Sequence, residues 1–180
     1  MQKGASPDPS TKNSHIFTRF RRTGDFRGDP YRGRVFMYKA RLIMIDDEEA
    51  FCEAMEKRLA HRGLEVLTAY SGADGLKKLD EHHEVDVILL DVKMPEMDGI
   101  ETLRRIKAAH PITEVIMLTG HATVESAIEG MKLGASDYLM KPCDIDILVT
   151  KVEEAAKAKR DHQTKIMEAM GKELRGERAR

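Results

Sequence analysis

Acidic residues follow two apolar runs of this sequence, and together they could bind a cation. Asp46 and Asp47 come directly after the run ARLIMI, and Asp91 comes directly after the run VDVILL. Carboxylates that converge within a few ångströms repel one another and raise each other's pKa unless a cation compensates their charge. Mg²⁺ suits such a site, because it takes one or two protein carboxylates and keeps its remaining positions for water or phosphate oxygens.

Two more polar residues end apolar runs and could hold an anion beside that cation. Thr119 closes the run EVIMLT with a hydroxyl, and Lys141 closes the run DYLMK with a mobile ammonium. Together with the cation they suit the three equatorial oxygens of a transferring phosphoryl group, whose transition state is stabilised mainly by positioning and charge. Asp91 would be the nucleophile of such a transfer, because carboxylates can form aspartyl-phosphates.

These residues can meet only if the elements around them form an α/β fold. Apolar runs alternate with segments of helical periodicity, in strand–helix units of about 20–25 residues. The predicted strands are Ala40–Ile45, Leu64–Tyr70, Val85–Val92, Glu114–Gly120 and Ser136–Lys141. We predict a doubly wound, five-stranded parallel sheet of order 2-1-3-4-5, with helices on both faces.

That strand order has a direct consequence for the acids. Strands one and three lie side by side at the switch point of the sheet, where ligands gather beyond the carboxyl ends of the strands. Asp46, Asp47 and Asp91 are therefore expected to meet at one edge. Simpler interpretations exist for each residue, because Asp46 and Asp47 could merely cap a helix and Thr119 and Lys141 could be ordinary strand-end groups.

The motifs at the strand ends carry a family resemblance. They are MIDDEE at the end of strand one, LLDVKMPEMDG at strand three, MLTGH at strand four and DYLMKPCD at strand five. From about Lys39 to Lys157 the sequence resembles a bacterial response-regulator receiver domain, which has a flavodoxin-like fold. The stretch TGHATVESAIEGMKLGASDYLMKP is similar to the receivers of nitrogen-type transcriptional activators.

The resemblance implies a stand-alone receiver in a phosphorelay. Asp91 would accept a phosphoryl group from the phosphohistidine of a histidine kinase or phosphotransfer protein, and output would follow through an unidentified downstream protein. Thr119 and Lys141 would contact the phosphoryl oxygens, Thr119 and Tyr138 would act as the switch, and Pro142 would follow a cis peptide bond. The implied Mg²⁺ ligands are the carboxylates of Asp46, Asp47 and Asp91 and the backbone carbonyl of Lys93. Catalysis would be limited to this phosphorylation and its reversal, so no enzyme in the usual sense is expected.

Charge and composition divide the chain into segments. Residues 1–40 carry nine basic and three acidic side chains, whereas residues 41–150 carry 12 basic and 22 acidic ones. The acidic centre disfavours nucleic acid as a ligand. The predicted segments are a disordered basic leader over 1–37, a receiver domain over 38–157 and a helical C-terminal extension over 158–180. Met37 is an alternative start of translation, which would make the leader an annotation artefact.

Other features bear on location and partners. No apolar run approaches the roughly 18–20 residues of a membrane span, and Cys52 and Cys143 lie far apart without metal-ligand spacing. We therefore predict a cytoplasmic protein with reduced thiols and no membrane partner. The C-terminal extension is either a solvated helix or a helix that docks on a partner or pairs two copies as a homodimer. Its apolar stripe consists of Ile166, Met167, Met170 and Leu174.

Two enzymatic or redox functions remain as alternatives. A Mg²⁺-dependent phosphohydrolase of the haloacid dehalogenase type also uses a strand-end aspartate, but it typically has a second aspartate where this sequence has Lys93. A flavodoxin-like electron carrier would have a hydroxyl-rich phosphate loop after strand one, where this sequence has Asp-Asp-Glu-Glu. Turnover of phosphate esters and a flavin absorbance would distinguish these alternatives from a receiver.

Overall fold

A computed structural model of the chain describes residues 39–177, with side chains as far as residue 172. The predicted leader over residues 1–37 lies outside the described residues and stays a prediction. In the described part, strands and helices alternate as predicted. The strands are β1 (Arg41–Ile45), β2 (Glu65–Ala69), β3 (Val87–Leu90), β4 (Glu114–Thr119) and β5 (Asp137–Met140). The helices are α1 (Glu49–Ala60), α2 (Gly72–Glu81), α3 (Gly99–Ala109), α4 (Val124–Lys132) and α5 (Ile145–Glu177).

The strands form one parallel sheet in the order β2-β1-β3-β4-β5, which confirms the predicted topology. Side chains of β3 alternate between two apolar clusters: Val87 and Leu89 pack with α1 and α5, and Ile88 and Leu90 pack with α2 and α3. Both faces of the central strands are therefore covered, as expected for parallel strands that read as continuous apolar runs.

Local hydrogen bonds fix where two of the helices begin. The Ser71 hydroxyl accepts a hydrogen bond from the Asp74 N–H at 3.2 Å, and α2 starts at the next residue. The Asp98 carboxylate accepts one from the Glu101 N–H at 2.8 Å at the start of α3. Both are side-chain N-caps, which satisfy backbone donors that the first helical turn leaves without partners. Ser71 and Asp98 therefore set the starts of α2 and α3.

Helix α5 is 33 residues long and continues well past Val152. Its first turns bury Leu148 and Val152 against the sheet. Beyond residue 161 most of its described side chains are exposed. Three apolar residues of the predicted stripe are among the exposed ones, namely Ile166, Met167 and Met170. The side chain of Leu174 lies outside the description.

Two residues in the middle of α5 fasten it to the edge of the sheet where the strands begin. The Arg160 guanidinium donates hydrogen bonds to both carboxylate oxygens of Asp86, at 3.1 and 2.6 Å. Lys159 is buried, and its ammonium donates to the Val85 carbonyl oxygen and, at 3.4 Å, to the Thr113 hydroxyl. Because both residues lie beyond the predicted boundary at 157, we propose that the folded domain continues through Arg160.

A chain cut after residue 157 is therefore expected to be less stable than one cut after residue 164. The shorter chain removes the Arg160 guanidinium from Asp86, which keeps the hydrogen bond from the Arg41 N–H. It also removes the Lys159 ammonium from the Val85 carbonyl. An unsatisfied buried group costs about 1–3 kcal/mol, and the Asp86 contribution is reduced because the Arg160 side chain is 49% exposed. We expect a difference of about 2–4 kcal/mol in the free energy of unfolding in urea. Identical urea midpoints for the two chains would contradict the proposed boundary.

Candidate functional site

Two acidic side chains lie next to each other where β1 and β3 end. The Asp91 N–H donates a hydrogen bond to the Ile45 carbonyl at 2.9 Å, so the pairing of the two strands continues one residue past β3. Asp46 directly follows Ile45, and its own N–H donates to the Ala69 carbonyl of β2 at 3.0 Å. Asp46 is only 2% exposed and Asp91 only 6%. The parallel sheet thus buries two acids at one edge.

One ammonium lies between these acids. The Nζ atom of Lys141 is 2.5 Å from Oδ2 of Asp46 and 3.3 Å from Oδ1 of Asp91. The Lys141 backbone N–H donates to the Thr119 carbonyl at 2.8 Å, which ties the end of β5 to the end of β4. The peptide bond between Lys141 and Pro142 is cis, as the family resemblance implied. The fold therefore places the Lys141 ammonium, from the end of β5, beside acids that follow β1 and β3.

Burial and ion pairing oppose each other in this cluster. Burial raises the pKa of the Asp46 carboxyl above its ordinary value, although hydrogen bonds from Lys141 and the Glu48 backbone work in the other direction. Burial alone would lower the pKa of Lys141, but the hydrogen bond and charge of Asp46, together with Asp91, raise it overall. The Lys141 ammonium is therefore held in its charged form by the acids around it.

The loop after β3 holds Asp91 from another side. The Lys93 backbone N–H donates a hydrogen bond to Oδ2 of Asp91 at 2.7 Å. At the end of the loop, the Gly99 N–H donates to the Val92 carbonyl at 2.8 Å. A Cβ atom at position 99 would lie 2.0 Å from the Asp91 carbonyl oxygen, which is closer than atoms can approach. Gly99 is therefore needed for α3 to begin directly against the strand end that carries Asp91.

The other predicted residues of this edge differ in burial. Thr119 is fully buried, and its hydroxyl oxygen accepts a hydrogen bond from the His121 N–H at 3.1 Å. The Asp47 side chain is exposed. Within residues 39–177 no three or more His, Cys, Asp or Glu side chains are grouped as metal ligands. The structure thus brings Asp46, Asp91 and Lys141 into contact and leaves Asp47 at the surface beside them.

The sequence also matches a known family across the sheet and the strand ends described above. The sequence model of the response regulator receiver domain family matches residues 42–153. The chain belongs to this family. The receiver domain therefore accounts for most of the described chain, as the motifs at the strand ends predicted.

Individual relatives agree with this assignment. The transcriptional regulatory protein ZraR of Salmonella typhimurium is 41% identical over 117 residues, which are 65% of this chain and 26% of that protein. The DNA-binding transcriptional regulator NtrC of Escherichia coli is 39% identical over 119 residues, or 66% of this chain and 25% of that protein. The chain thus spans about a quarter of the length of these relatives.

Solved structures of receiver domains have the same fold. A receiver domain protein from Clostridium thermocellum superimposes with a TM-score of 0.65 at 38% sequence identity, covering 67% of this chain and 97% of that one. A CheY-like receiver domain protein from Methanospirillum hungatei gives a TM-score of 0.64 at 30% identity, covering 68% and 98%. The flavodoxin-like receiver fold predicted from the sequence is confirmed.

Family membership has functional consequences at a general level. Receiver domains are signal-transduction modules of two-component systems rather than conventional enzymes. They are phosphorylated, generally bind Mg²⁺ at the phosphorylation site, and interact with histidine kinases or phosphotransfer proteins. None of the helices of this receiver domain within residues 39–177 is both long and apolar enough to cross a membrane.

The chemistry of the receiver site fits Mg²⁺. Asp46 and Asp91 offer buried carboxylate oxygens, which a small hard cation prefers, and a third carboxylate, Asp47, follows Asp46 directly. One ammonium, that of Lys141, faces both buried acids. A second cation would therefore reduce an excess of negative charge that burial makes costly.

The predicted switch residue of the receiver domain contacts a residue that sequence reasoning missed. The Tyr138 hydroxyl lies 2.8 Å from the Ser126 hydroxyl oxygen. Ser126 forms a capping box with Thr123 at the start of α4, with backbone-to-side-chain distances of 3.1 and 3.2 Å. The half-buried Tyr138 ring is thus tied to the first turn of α4. A serine three residues after an N-cap threonine signals the capping box, but nothing local signals the tyrosine.

Two further residues lie at the receiver site although they were not predicted there: Glu48, just before α1, and Phe51, in α1. The Glu48 carboxylate lies 3.4 Å from Nζ of Lys141, and the Phe51 ring centroid lies 4.2 Å from the same atom. The helical spacing of Phe51 with Met55 and Leu59 indicates an apolar helix face, but it says nothing about a lysine 90 positions away.

Cys52 and Cys143 are free thiols, as the sequence predicted. Cys52 is completely buried. Burial raises the pKa of Cys52 to about 12, with the charge of nearby Asp46 adding to the shift. A thiol with such a pKa is a poor nucleophile, so Cys52 acts as a small packing residue.

Proposed function

We propose that this receiver domain accepts a phosphoryl group on Asp91 from the phosphohistidine of a histidine kinase or phosphotransfer protein, and signals by binding a downstream protein. The main support is the pair of buried carboxylates, Asp46 and Asp91, that share the ammonium of Lys141 at distances of 2.5 and 3.3 Å. An acid pair and a cation at the carboxyl edge of a parallel sheet suit phosphoryl transfer, which depends on charge and positioning.

The transfer moves one phosphoryl group between two side chains. A carboxylate oxygen of Asp91 forms a bond to phosphorus while the bond from phosphorus to the donor imidazole nitrogen breaks, and that nitrogen keeps the electron pair. The Lys141 ammonium, already next to Oδ1 of Asp91, binds one phosphoryl oxygen. The Thr119 hydroxyl donates to another, because its proton is not used in the hydrogen bond that it accepts from His121.

Mg²⁺ would be held at the same edge. The residues that would hold it are Asp46, Asp47, Asp91 and the backbone carbonyl of Lys93, and when bound the ion neutralises negative charge on the phosphoryl oxygens. The carboxylate of Asp46 is positioned for this by the Glu48 N–H, which donates to its Oδ1 at 3.0 Å.

The proposed output follows from Thr119 and Tyr138. Phosphorylation adds roughly −1.5 to −2 units of charge beside Thr119 and draws its hydroxyl inward. The Tyr138 ring then fills the vacated space and leaves Ser126, to which it is hydrogen-bonded at 2.8 Å. That movement changes the surface formed by α4, β5 and α5, which is the surface proposed to bind the partner.

The C-terminal part of α5 offers a second route to output. Ile166, Met167 and Met170 are exposed apolar side chains on a helix that extends beyond the sheet. Such a face supports docking on a protein partner or pairing of two copies of the chain. Nucleic-acid contact is not part of this proposal, because the described domain is predominantly acidic.

Phosphotransfer from an autophosphorylated histidine kinase tests the proposed function. We expect radiolabel to move from the kinase to this chain, to require Mg²⁺, and to be released by hydroxylamine, which cleaves acyl phosphates. Capture experiments with and without beryllofluoride, a mimic of the phosphorylated aspartate, should then recover a partner only in its presence. Absence of labelling with steady turnover of p-nitrophenyl phosphate would overturn the proposal in favour of a phosphohydrolase.

A further inference from the structure

An aromatic ring forms part of the environment of the Lys141 ammonium. Phe51 lies on α1, is half-buried and packs against the apolar cluster between the sheet and helices α1 and α5. Its ring centroid is 4.2 Å from Nζ of Lys141, well within the roughly 6 Å over which a cation is attracted to a π face. The Lys141 side chain is only 11% exposed, so water weakens this attraction little.

Three acids also lie close to the ammonium. Asp46, Asp91 and Glu48 lie 2.5, 3.3 and 3.4 Å from Nζ, and Asp46 is the nearest. A hydrogen bond to Asp46 by itself would hold the ammonium at that carboxylate. The ammonium must instead remain available to Asp91, where the incoming phosphoryl group needs it.

A ring stabilises the cation in a way that a further carboxylate could not. The π face attracts positive charge through the ring quadrupole, but the ring carries no net charge, so it repels a phosphoryl dianion far less than a carboxylate would. The attraction is spread over the ring face and is not directed at one acceptor atom, so the ammonium can turn from Asp46 towards a phosphoryl oxygen while it keeps contact with the ring. A fourth acid in place of Phe51 would hold the lysine equally well but would oppose the transfer.

We propose that Phe51 is a positioning residue for phosphoryl transfer, whose ring face holds the Lys141 ammonium beside Asp91. The inference rests on the proposed function, because it takes Lys141 as the group that binds the phosphoryl oxygen. It assigns to a residue of α1 a role in the reaction that acts through Lys141.

The test varies the electron density of the ring face while the size of the side chain stays nearly the same. Site-specific replacement of Phe51 in the full chain by mono-, di- and trifluorophenylalanine weakens the π face stepwise, and cyclohexylalanine removes it while retaining the apolar bulk. We expect the rate of phosphorylation by acetyl phosphate to fall with each fluorine, reaching about a three- to thirtyfold loss with cyclohexylalanine. Phe51→Tyr, which keeps a comparable π face, should restore the rate.

A second readout does not depend on phosphorylation. In EDTA, and with Lys141 present, the same Phe51 replacements should lower the equilibrium constant of folding by about three- to thirtyfold. The effect should vanish when they are combined with Lys141→Met. Such a double-mutant cycle separates the contact of the ring with the ammonium from the packing of the ring in the core, which persists in both backgrounds.

The outcomes distinguish this inference from the proposed function. If the native chain is labelled but the rate is the same throughout the fluorinated series, Phe51 has no positioning role. Coupling in the unfolding cycle without any change in rate would likewise reduce the contact to a structural one and overturn the inference. If the native chain is not labelled by any donor, the proposed function itself fails, and the inference that rests on it fails with it.

Discussion

Asp91→Asn is expected to abolish phosphorylation of the chain by a kinase or by acetyl phosphate. The amide that replaces the carboxylate is a far weaker nucleophile of almost the same size, and its one oxygen can keep the hydrogen bond from the Lys93 N–H or the contact with the Lys141 ammonium. We expect labelling to fall by at least about a hundredfold, because the bond to phosphorus can no longer form at this position. The measurement is the initial rate of radiolabel incorporation at saturating Mg²⁺.

The unfolding temperature of Asp91→Asn shows whether a loss of labelling reflects a loss of the fold. The charge of Asp91 contributes to raising the pKa of Asp46, so removing that charge relieves repulsion between two buried acids. The substitution also removes the ion pair of Asp91 with Lys141, so the two effects oppose each other and the variant should unfold at a temperature close to that of the native chain. Asp98→Asn is a matched control, because Asp98 is an exposed N-cap residue that asparagine replaces well. Labelling of Asp91→Asn at the rate of the native chain would show that another residue is the acceptor.

Lys141→Met is expected to destabilise the domain strongly at neutral pH. The substitution leaves Asp46, 2% exposed, and Asp91, 6% exposed, without the ammonium that both contact. Removing one partner of a buried ion pair typically costs 3–5 kcal/mol, so we expect a loss of about 3 kcal/mol in the free energy of unfolding. Chemical denaturation in EDTA at pH 7 measures it, and added Mg²⁺ should recover part of the loss.

The direction of the pKa shifts predicts how this effect depends on pH. The pKa of Lys141 is raised in the folded domain, so its stabilising contribution is complete below the ordinary lysine pKa and is lost as the pH rises through the folded value. The pKa of Asp46 is also raised, so the cost of burying its charge disappears as the pH falls towards the ordinary carboxyl range, about 4. The difference between Lys141→Met and the native chain should therefore be large at pH 7 and small in acid.

A second substitution tests the cause of that loss. Asp46→Asn combined with Lys141→Met removes both the acid and its partner, and should regain most of the lost stability. If the single and the double variants are equally unstable at every pH, the loss comes from packing of the lysine stem rather than from an uncompensated charge.

Much of the site was predictable because each of its main residues is marked by a local pattern. Asp46, Asp91 and Thr119 stand at the ends of apolar runs, and the lengths of the intervening segments allow few topologies other than order 2-1-3-4-5. Parallel strands in that order bring their carboxyl ends to one edge, whatever the details of packing. The spacing of apolar residues and turns therefore determined the fold, the edge and the class of chemistry.

Contacts between the elements could not be obtained in this way. The sequence gives no reason for Lys141 to lie between Asp46 and Asp91 while Asp47 stays exposed, since both acids follow the same strand. The alternation of side chains along the chain sends neighbours in opposite directions, and only the packed sheet decides which direction is the interior.

Tertiary packing also determines the contacts of Phe51, Tyr138 and Arg160. Phe51 meets Lys141, Tyr138 meets Ser126 and Arg160 meets Asp86, each through a contact between different elements of the fold. Periodicity fixes the face on which a side chain lies, but the helix crossing, the rotamer and the burial fix which atom it reaches. The sequence by itself therefore determined which residues could do chemistry and at which edge. The tertiary structure decided which of these side chains form ion pairs, because ion pairing depends on distances of a few ångströms between distant parts of the chain.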